Sequence, residues 1–388
     1  MGKQLSADHA YLTGAVSVYD AENLKDYRAV AVKRAAVACW LLFSLSTNAA
    51  GIDVDKSLSR IAFGSCAIQS LDLSVFKTIQ SARPDIYLSL GDAIYGDYDV
   101  ATGKRFEATS ATLARDWQIL GTNKHWQSLQ KNIPILAIWD NHDYGHYELG
   151  ADFELGSRSK ALFLKFFNEP LDSIVWSRPG IYRSMVIGPE SRRVQIVMLD
   201  TRSFKSTPVL AEGWLAEAGA EAAGSLGKFV QDRRGTLLGK AQWRWLEDRF
   251  DETADLRIIA SSTQVIPNEK GMDEWGNYPV ERDSLLQLIR TKGGGRTILV
   301  SGNVHFGELS AKVFDEGTAI WELTSSGLTH TNEAYAEESN RFRTAGPVIE
   351  RHFGMLDLRW LESGSVELDL QILNVEGLHM LHEQVILP

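Results

Sequence analysis

Residues 133–143 read Ile-Pro-Ile-Leu-Ala-Ile-Trp-Asp-Asn-His-Asp, an apolar run that ends abruptly in four polar side chains. Apolar runs of this length that are rich in Ile and Leu are typical of buried strands. Four adjacent polar groups after such a strand are costly to bury unless they bind one another or a ligand. The stretch therefore predicts a strand at 133–139 that delivers residues 140–143 to a functional site, with a hydrogen-bonded turn as the alternative.

Five other apolar runs end in the same way, each within a few residues of a group that can bind a metal or a substrate. They are 61–63 before Cys66, 86–90 before Asp92 and Tyr95, 194–199 before Asp200 and Arg202, 256–260 before Gln264, and 298–300 before Asn303 and His305. Ligands of α/β proteins collect outside the carboxyl ends of the strands. Although each residue alone has an ordinary structural explanation, the shared position predicts one polar site and hence an enzyme.

The composition is that of a globular protein, with 44% apolar and 23% charged residues among 388. The net charge of −10 argues against a general nucleic-acid-binding protein, which would carry a basic face. An acidic surface also repels anionic substrates at long range. Any site for an anion must therefore depend on local metal ions and arginines.

The N-terminal region carries the pattern of a secretory signal. Lys33-Arg34 precedes an apolar core at 35–45, and small residues follow at 46–50. We therefore expect residues 1–50 to be an N-terminal extension with a signal peptide, residues 51–388 to form a single domain, and the protein to be secreted or periplasmic. The mature chain would have no transmembrane anchor, and Cys66 would be its only cysteine. A buried helix is the alternative for the apolar core.

Periodicity predicts the remaining elements. Strands are expected at 60–64, 85–90, 296–301, 319–323, 354–360 and 365–373, with a hairpin at 181–187 and 194–199. Helices are expected at 72–82, 104–131, 157–168, 240–250 and 284–290. The pattern indicates an α/β fold of two packed mixed sheets with helices outside.

Several motifs resemble those of a known family. Gly-Asp-X-X-Tyr at 91–95, Trp-Asp-Asn-His-Asp at 139–143 and Ser-Gly-Asn-Val-His at 301–305 resemble the calcineurin-like metallophosphoesterases. The motifs at 63–67, 199–202, 238–246, 274–282 and 324–330 narrow the resemblance to the alkaline phosphatase D (PhoD-like) branch. The resemblance implies a four-layer sandwich, two mixed β-sheets flanked by helices. It also implies hydrolysis of small phosphate mono- or diesters by attack of a metal-bound hydroxide.

The resemblance also assigns roles to individual residues. Asp92 would bridge two metal ions, with Cys66 and Tyr95 binding Fe³⁺ and Asn141 binding Ca²⁺ or another divalent ion such as Zn²⁺ or Mn²⁺. Asn303 and His305 would complete the metal ligands. His142 would lie by the leaving oxygen as general acid or charge stabiliser, and Arg202 would clamp the phosphate. Further ligands, or residues that support His142 or contact substrate, would be Asp140, Asp143, Gln264 and His330.

Two positions depart from the branch, which usually has aspartate where this chain has Asn141 and Asn303. The loss of two negative charges would favour a metal pair of lower charge or weaker calcium binding. Two other functions stay open: a phospholipase-type phosphodiesterase that cuts lipid headgroups, and a binding relative with weakened catalysis. Trp214, Trp275 and Tyr278 would either line the substrate pocket as an aromatic wall or pack in the core.

Overall fold

The described parts of the chain are residues 51–147, 149–210 and 229–388 of a computed structural model. Numbered in chain order, the strands are β1 (Arg60–Gly64), β2 (Ile86–Leu90), β3 (Tyr98–Asp99), β4 (Lys104–Arg105), β5 (Ile135–Ile138), β6 (Arg183–Ile187), β7 (Val194–Met198), β8 (Val209–Leu210), β9 (Phe229–Val230), β10 (Leu256–Ala260), β11 (Thr297–Ser301), β12 (Gly307–Val313), β13 (Ala319–Ser325), β14 (Arg343–Val348), β15 (His352–Trp360), β16 (Val366–Asn374) and β17 (His379–Leu387). The helices span Val75–Ser81, Ser110–Thr122, Lys124–Asn132, Asn141–Tyr144, Gly156–Phe166, Ile174–Ser177, Gly239–Phe250, Pro279–Lys292 and Glu333–Ala336, with a 3₁₀ turn at Trp275–Asn277.

The strands form two large mixed sheets. The first has the order β17-β16-β15-β1-β2-β5, and the second has the order β14-β12-β13-β11-β10-β7-β6. In the first sheet β1, β2 and β5 run parallel, while β15, β16 and β17 extend it antiparallel. In the second sheet β7, β10, β11 and β13 run parallel. Each sheet therefore presents a set of parallel strands whose carboxyl ends lie side by side.

The second sheet is buried on both faces, and alternate residues of its strands enter different cores. Ile196, Ile258 and Ile298 join the core that also contains the first sheet. Val197, Ile259 and Leu299 point the other way and pack against the helices Gly239–Phe250 and Pro279–Lys292. This period-two division explains why the strands read as continuous apolar runs. The predicted α/β class, with two mixed sheets flanked by helices, is confirmed.

Most predicted elements occur within a few residues of their expected bounds, and the largest difference is in 104–131. Residues 104–105 form β4, and two helices follow that separate at Asn123. The Asn123 side-chain oxygen accepts the backbone N–H of His125 at 2.9 Å and of Trp126 at 3.3 Å. These are the hydrogen bonds of a helix N-cap, so a second helix begins after Asn123. Helical periodicity alone would predict that the first helix continues through this residue.

All described residues fall within one compact unit. The predicted signal peptide and Trp214 lie outside the described residues. In the described ranges, no helix combines the length and the apolar character that a membrane crossing requires.

Candidate metal centre

The loops that follow the parallel strands of the two sheets meet at one place. Asp92, after β2, receives the backbone N–H of His142, after β5, on its Oδ1 at 3.2 Å. The two sheets are joined there by Ser262, after β10, whose hydroxyl donates to Asp140 at 3.0 Å. Gly91 makes the approach of β2 and β5 possible, because a Cβ at this position would lie 2.6 Å from the Cβ of Asp140. The predicted assembly of one site from distant segments is therefore present in the structure.

Cys66, Asp92 and His305 form a compact set of possible metal ligands. Their ligand atoms all lie within 4.8 Å of one another, and this is the only such group of three or more within the described ranges. The Cys66 Sγ lies 3.4 Å from Oδ2 of Asp92. The Tyr95 hydroxyl lies 3.3 Å from the Nε2 of both His305 and His330. Thiol, carboxyl, phenol and imidazole groups thus converge on one position.

The backbone is held in an unusual conformation at these ligands. Cys66, Asp92, Asn303 and His305 have φ angles of 64°, 52°, 71° and 61°, in the left-handed region that side chains other than glycine seldom adopt. Such conformations cost free energy and persist where the surrounding structure enforces them. The Ser326 hydroxyl helps to enforce them, since it accepts the His305 N–H at 2.9 Å and lies 3.0 Å from the Cys66 Sγ.

Burial shifts the pKa of each of these groups towards its neutral form. Burial, followed by the charge of Asp92, raises the pKa of the Cys66 thiol well above its ordinary value. Burial likewise raises the pKa of Asp92 and of Tyr95, and it lowers the pKa of His305 well below its ordinary value. A bound cation would reverse the first three effects and would accept a neutral imidazole as a ligand. The donor set therefore fits a metal ion.

Asn141 and Asp140 carry buried oxygens that could bind an ion. Both side-chain atoms of Asn141 and the Oδ2 of Asp140 are buried without a hydrogen-bond partner. The amide and carboxylate oxygens among these atoms are of the type that binds hard cations. Asn303 donates its Nδ2 to the Asp273 carbonyl at 2.9 Å, which leaves its Oδ1 as the atom that could bind a metal. An aspartate at 303 would instead place an oxygen against that carbonyl, so the local structure suits asparagine.

His142 is held by Asp97, a residue to which the sequence analysis gave no role. The His142 Nδ1 forms a short hydrogen bond with the Asp97 carboxylate, and both side chains are buried. The imidazole stacks on the Tyr95 ring with centroids 3.9 Å apart. The carboxylate that bonds the His142 ring is therefore Asp97, and not Asp140 or Asp143, the two candidates from sequence. Asp97 lies five residues after Asp92 in the same loop, and that proximity was the available signal.

Asp143 instead organises the backbone of the site. Its carboxylate accepts the N–H groups of Asp92 at 2.6 Å, Ile94 at 3.0 Å and Asp140 at 3.0 Å. Burial raises the pKa of Asp143 to about 7, although these hydrogen bonds oppose the shift. With both oxygens engaged, Asp143 supports the loop that carries Asp92 and is not placed as a metal ligand.

Arg202, the phosphate clamp expected from the resemblance, is bonded to buried carboxylates in the structure. Its side chain is fully buried, and its Nε donates to Asp140 Oδ1 at 2.6 Å. The same guanidinium pairs with Asp273, which also binds the Nζ of Lys205 at 3.0 Å. Burial opposes charge on Asp273, yet Arg202 and Lys205 hold the pKa of its carboxyl below the ordinary value. The guanidinium of Arg202 therefore neutralises the buried carboxylates of Asp140 and Asp273.

Of the two other predicted site residues, His330 lies at the metal centre and Gln264 does not. Gln264 is buried and donates to Glu308 at 2.7 Å and to Thr324 at 2.9 Å, so it does not face a substrate. His330 lies at the site, because its ring is in edge contact with His305 at 4.4 Å.

Trp275 and Tyr278 do not form an aromatic wall. Their exposed fractions are 0% and 1%, and both belong to the core beside the helix Pro279–Lys292. The Trp275 indole donates to Ser261 at 2.9 Å, and the Tyr278 hydroxyl donates to the Ser206 carbonyl at 2.6 Å. Of the two explanations open from sequence, core packing is the one that holds for these residues.

The chain is similar in sequence to known proteins. The family model described as PhoD-like phosphatase matches residues 61–376. Alkaline phosphatase D of Bacillus subtilis (strain 168) is 23% identical over 312 residues, which cover 69% of this chain and 51% of the relative. The chain therefore spans about half the length of that curated relative.

Two solved structures share the fold. A structure of PhoD superposes with a TM-score of 0.60 at 17% identity, over 85% of this chain and 69% of that one. GAP50, described as the anchor in the inner membrane complex of Plasmodium, has a TM-score of 0.51 at 10% identity, over 86% of this chain and 90% of its own. At these identities the two structures support the fold alone.

Proposed function

The chain belongs to the PhoD-like phosphatase family, and from this premise we propose that it hydrolyses small phosphate mono- or diesters at a centre of two metal ions. The observation that carries the proposal is the convergence of Cys66, Asp92 and His305 within 4.8 Å. The site adjoins a buried histidine that is held by a carboxylate. A ligand set beside a positioned proton donor is what metal-assisted ester hydrolysis requires.

The ligand types suggest how two ions would be held. Cys66, Tyr95 and His305 would bind one ion, and thiolate with phenolate suits Fe³⁺. Asn141 and Asn303 would bind the second through amide oxygens, which suit Ca²⁺, while Zn²⁺ and Mn²⁺ remain alternatives. Asp92, between the two groups, would bridge the ions. When bound, such ions supply Lewis-acid chemistry, offsetting phosphoryl charge and lowering the pKa of a water molecule.

His142 would supply the proton that the leaving oxygen needs. With Asp97 as an ionised carboxylate, the Nδ1 of His142 would carry the hydrogen in their hydrogen bond. Stacking on Tyr95 fixes the plane of the ring. The Nε2 is then the atom that would donate to the departing alkoxide, and Asp97 would stabilise the charged imidazolium before donation.

This arrangement favours an enzyme over a binding relative, because a binding protein has no need for the Asp97–His142 pair. A lipid-headgroup phosphodiesterase remains the alternative substrate class. Comparing the hydrolysis of soluble bis-p-nitrophenyl phosphate with that of phosphatidylcholine micelles separates the two. Export from the cell also remains a proposal, since it depends on residues 33–50, which lie outside the described ranges.

The function is tested by measuring hydrolysis of p-nitrophenyl phosphate and bis-p-nitrophenyl phosphate by wild-type protein and by His142→Gln. We expect the wild type to hydrolyse at least one ester and the variant to lose about a hundredfold or more in kcat, the usual range for a general acid. Both proteins should contain the same metals. A wild-type protein that holds two ions per chain and hydrolyses neither these esters nor phosphatidylcholine would contradict the proposal.

A further inference from the structure

A side-chain cation at the mouth of the metal centre would help the bound ions to hold the negative oxygens of a phosphate ester. Arg202 is not placed there, because its guanidinium is fully buried between Asp140 and Asp273. The protein carries a net charge of −10, so its overall field does not attract such a substrate. A local, accessible arginine would therefore have a large effect on binding.

Arg105 leaves the β3–β4 hairpin on the side that faces the site. Arg105 and Tyr98 are directly paired across the two strands, and side chains paired in this way lie on the same face. The Tyr98 ring makes edge contacts with His142 at 6.3 Å and with Tyr95 at 6.1 Å. Arg105 is thus the cross-strand neighbour of a ring that touches the proposed proton donor.

The backbone after Arg105 is fixed to the same loop. The N–H of Phe106 donates to the carbonyl of Asp97 at 2.9 Å, and Asp97 is the residue that holds His142. The position of the hairpin is therefore coupled to that of the imidazole. This coupling gives Arg105 a defined place relative to the site.

The guanidinium of Arg105 is oriented by an aromatic ring. Its central carbon lies 3.6 Å from the centroid of the Tyr147 ring, and the residue is only partly buried. Stacking of this kind uses the face of the guanidinium, so the N–H groups at its edge can still bind oxyanions. Within the described ranges, Arg105 forms no ion pair with a carboxylate at 4 Å or less.

We propose that Arg105 forms an oxyanion-binding subsite at the mouth of the metal centre, where its planar guanidinium binds phosphoryl oxygens of the ester. The inference rests on the proposed function and adds the residue that recognises the substrate's charge. An arginine suits this role because two parallel N–H groups match two oxygens of a phosphate. Arg105 would take the place in substrate binding that the sequence suggested for Arg202.

The test compares Arg105→Gln, Arg105→Lys and the control Lys104→Gln, which removes an exposed charge from the same hairpin. For each metal-loaded protein, KM and kcat are measured with p-nitrophenyl phosphate, and binding of inorganic phosphate is measured by calorimetry. Metal content and thermal stability establish that the centre and the fold are retained.

We expect Arg105→Gln to weaken phosphate binding and to raise KM by about tenfold or more, the scale of a lost charged hydrogen bond, with a smaller change in kcat. Arg105→Lys should recover part of the loss, and Lys104→Gln should resemble the wild type. Phosphate binding by Arg105→Gln equal to that of the wild type would overturn the subsite. A wild type that binds phosphate through Arg105 and hydrolyses no ester would leave the subsite standing and refute the proposed function.

Discussion

Individual residues of the centre show why a metal ion is the simplest occupant. The exposed fractions of Cys66, Asp92 and Tyr95 are 0%, 1% and 2%, and this burial raises the pKa of each side chain. Without a cation, protonation would keep these groups neutral. The positive φ angles of Cys66 and Asp92 would then have no functional reason. With a cation, the same burial strengthens each bond between ligand and metal.

At the same scale, the pairing of Asp97 with His142 predicts a defined catalytic defect. Asp97→Asn keeps the shape of the side chain and removes the charge that stabilises an imidazolium. We expect kcat to fall about a hundredfold, with little change in KM and with both metals retained. The measurement is steady-state kinetics together with metal analysis of the same samples. A kcat within about twofold of the wild type would show that the catalytic role of His142 does not depend on the charge of Asp97.

At the scale of elements, the loop that carries Asp273 is held by buried charges of the second sheet. Glu308 on β12 pairs with Lys270 at 2.8 Å, and both side chains are 0% exposed. Arg343 on β14 donates to the other oxygen of Glu308 at 2.5 Å. Because Lys270 lies three residues before Asp273, this network fixes the loop that orients both Arg202 and Asn303.

Replacing the carboxylate of that network should be costly. Glu308→Gln leaves Lys270 buried without an opposite charge, and the loss of one partner of a buried pair costs about 3–5 kcal/mol. We expect the free energy of unfolding in urea to fall by that amount. The matched control is Asp251→Asn, which breaks the exposed Lys292–Asp251 pair of 43% and 68% exposure and should cost about 1 kcal/mol or less. Equal effects of the two substitutions would show that the buried network is not structural.

The elements also show how much of the fold was readable from the sequence. Continuous apolar runs such as 86–90 and 256–260 predict parallel strands, because both faces of such strands are buried. The polar residues that follow these runs predict the position of the site. The strand β17 was missed because His379, Met380, His382 and Glu383 interrupt its apolar pattern on an exposed edge. The helix break at Asn123 was missed because a capping asparagine also occurs within helical periodicity.

The limits of site prediction were of a different kind. Cys66, Asp92, Tyr95 and His305 could be grouped because each follows a strand end in a familiar motif. Whether an arginine faces the substrate or a buried carboxylate depends on contacts between distant segments. The partners of Arg202, 62 and 71 positions away at Asp140 and Asp273, could not be read from its local sequence. The same is true of the core positions of Trp275 and Tyr278.

For the whole molecule, His352 links stability to pH. It is fully buried where β15 begins, and its Nε2 accepts the N–H of Ser326 at 3.2 Å. Burial lowers the pKa of His352 to about 4 from an ordinary value of 6.5. Between these values the unfolded chain binds a proton that the folded chain does not, so stability falls as the pH falls from 6.5 to 4.

This residue should contribute about 3 kcal/mol to the loss of stability across that window. The measurement is urea unfolding at several pH values for the wild type and for His352→Gln, whose amide does not titrate. We expect the difference between the two free energies of unfolding to change with pH between 6.5 and 4 and to be constant above 7. A difference that does not vary with pH would show that folding leaves the pKa of His352 unchanged and would contradict the prediction.

The most direct test of the account is metal analysis by plasma emission on protein purified without chelator, for the wild type and for Cys66→Ser. Ser65→Ala, which alters the neighbouring hydroxyl 3.5 Å from the thiol, is the control. The account predicts close to one iron and one further ion per wild-type chain, with iron lost in Cys66→Ser and retained in Ser65→Ala. A wild-type protein without bound metal, or one whose metals are unaffected by Cys66→Ser, would contradict the assignment of Cys66 to the metal centre.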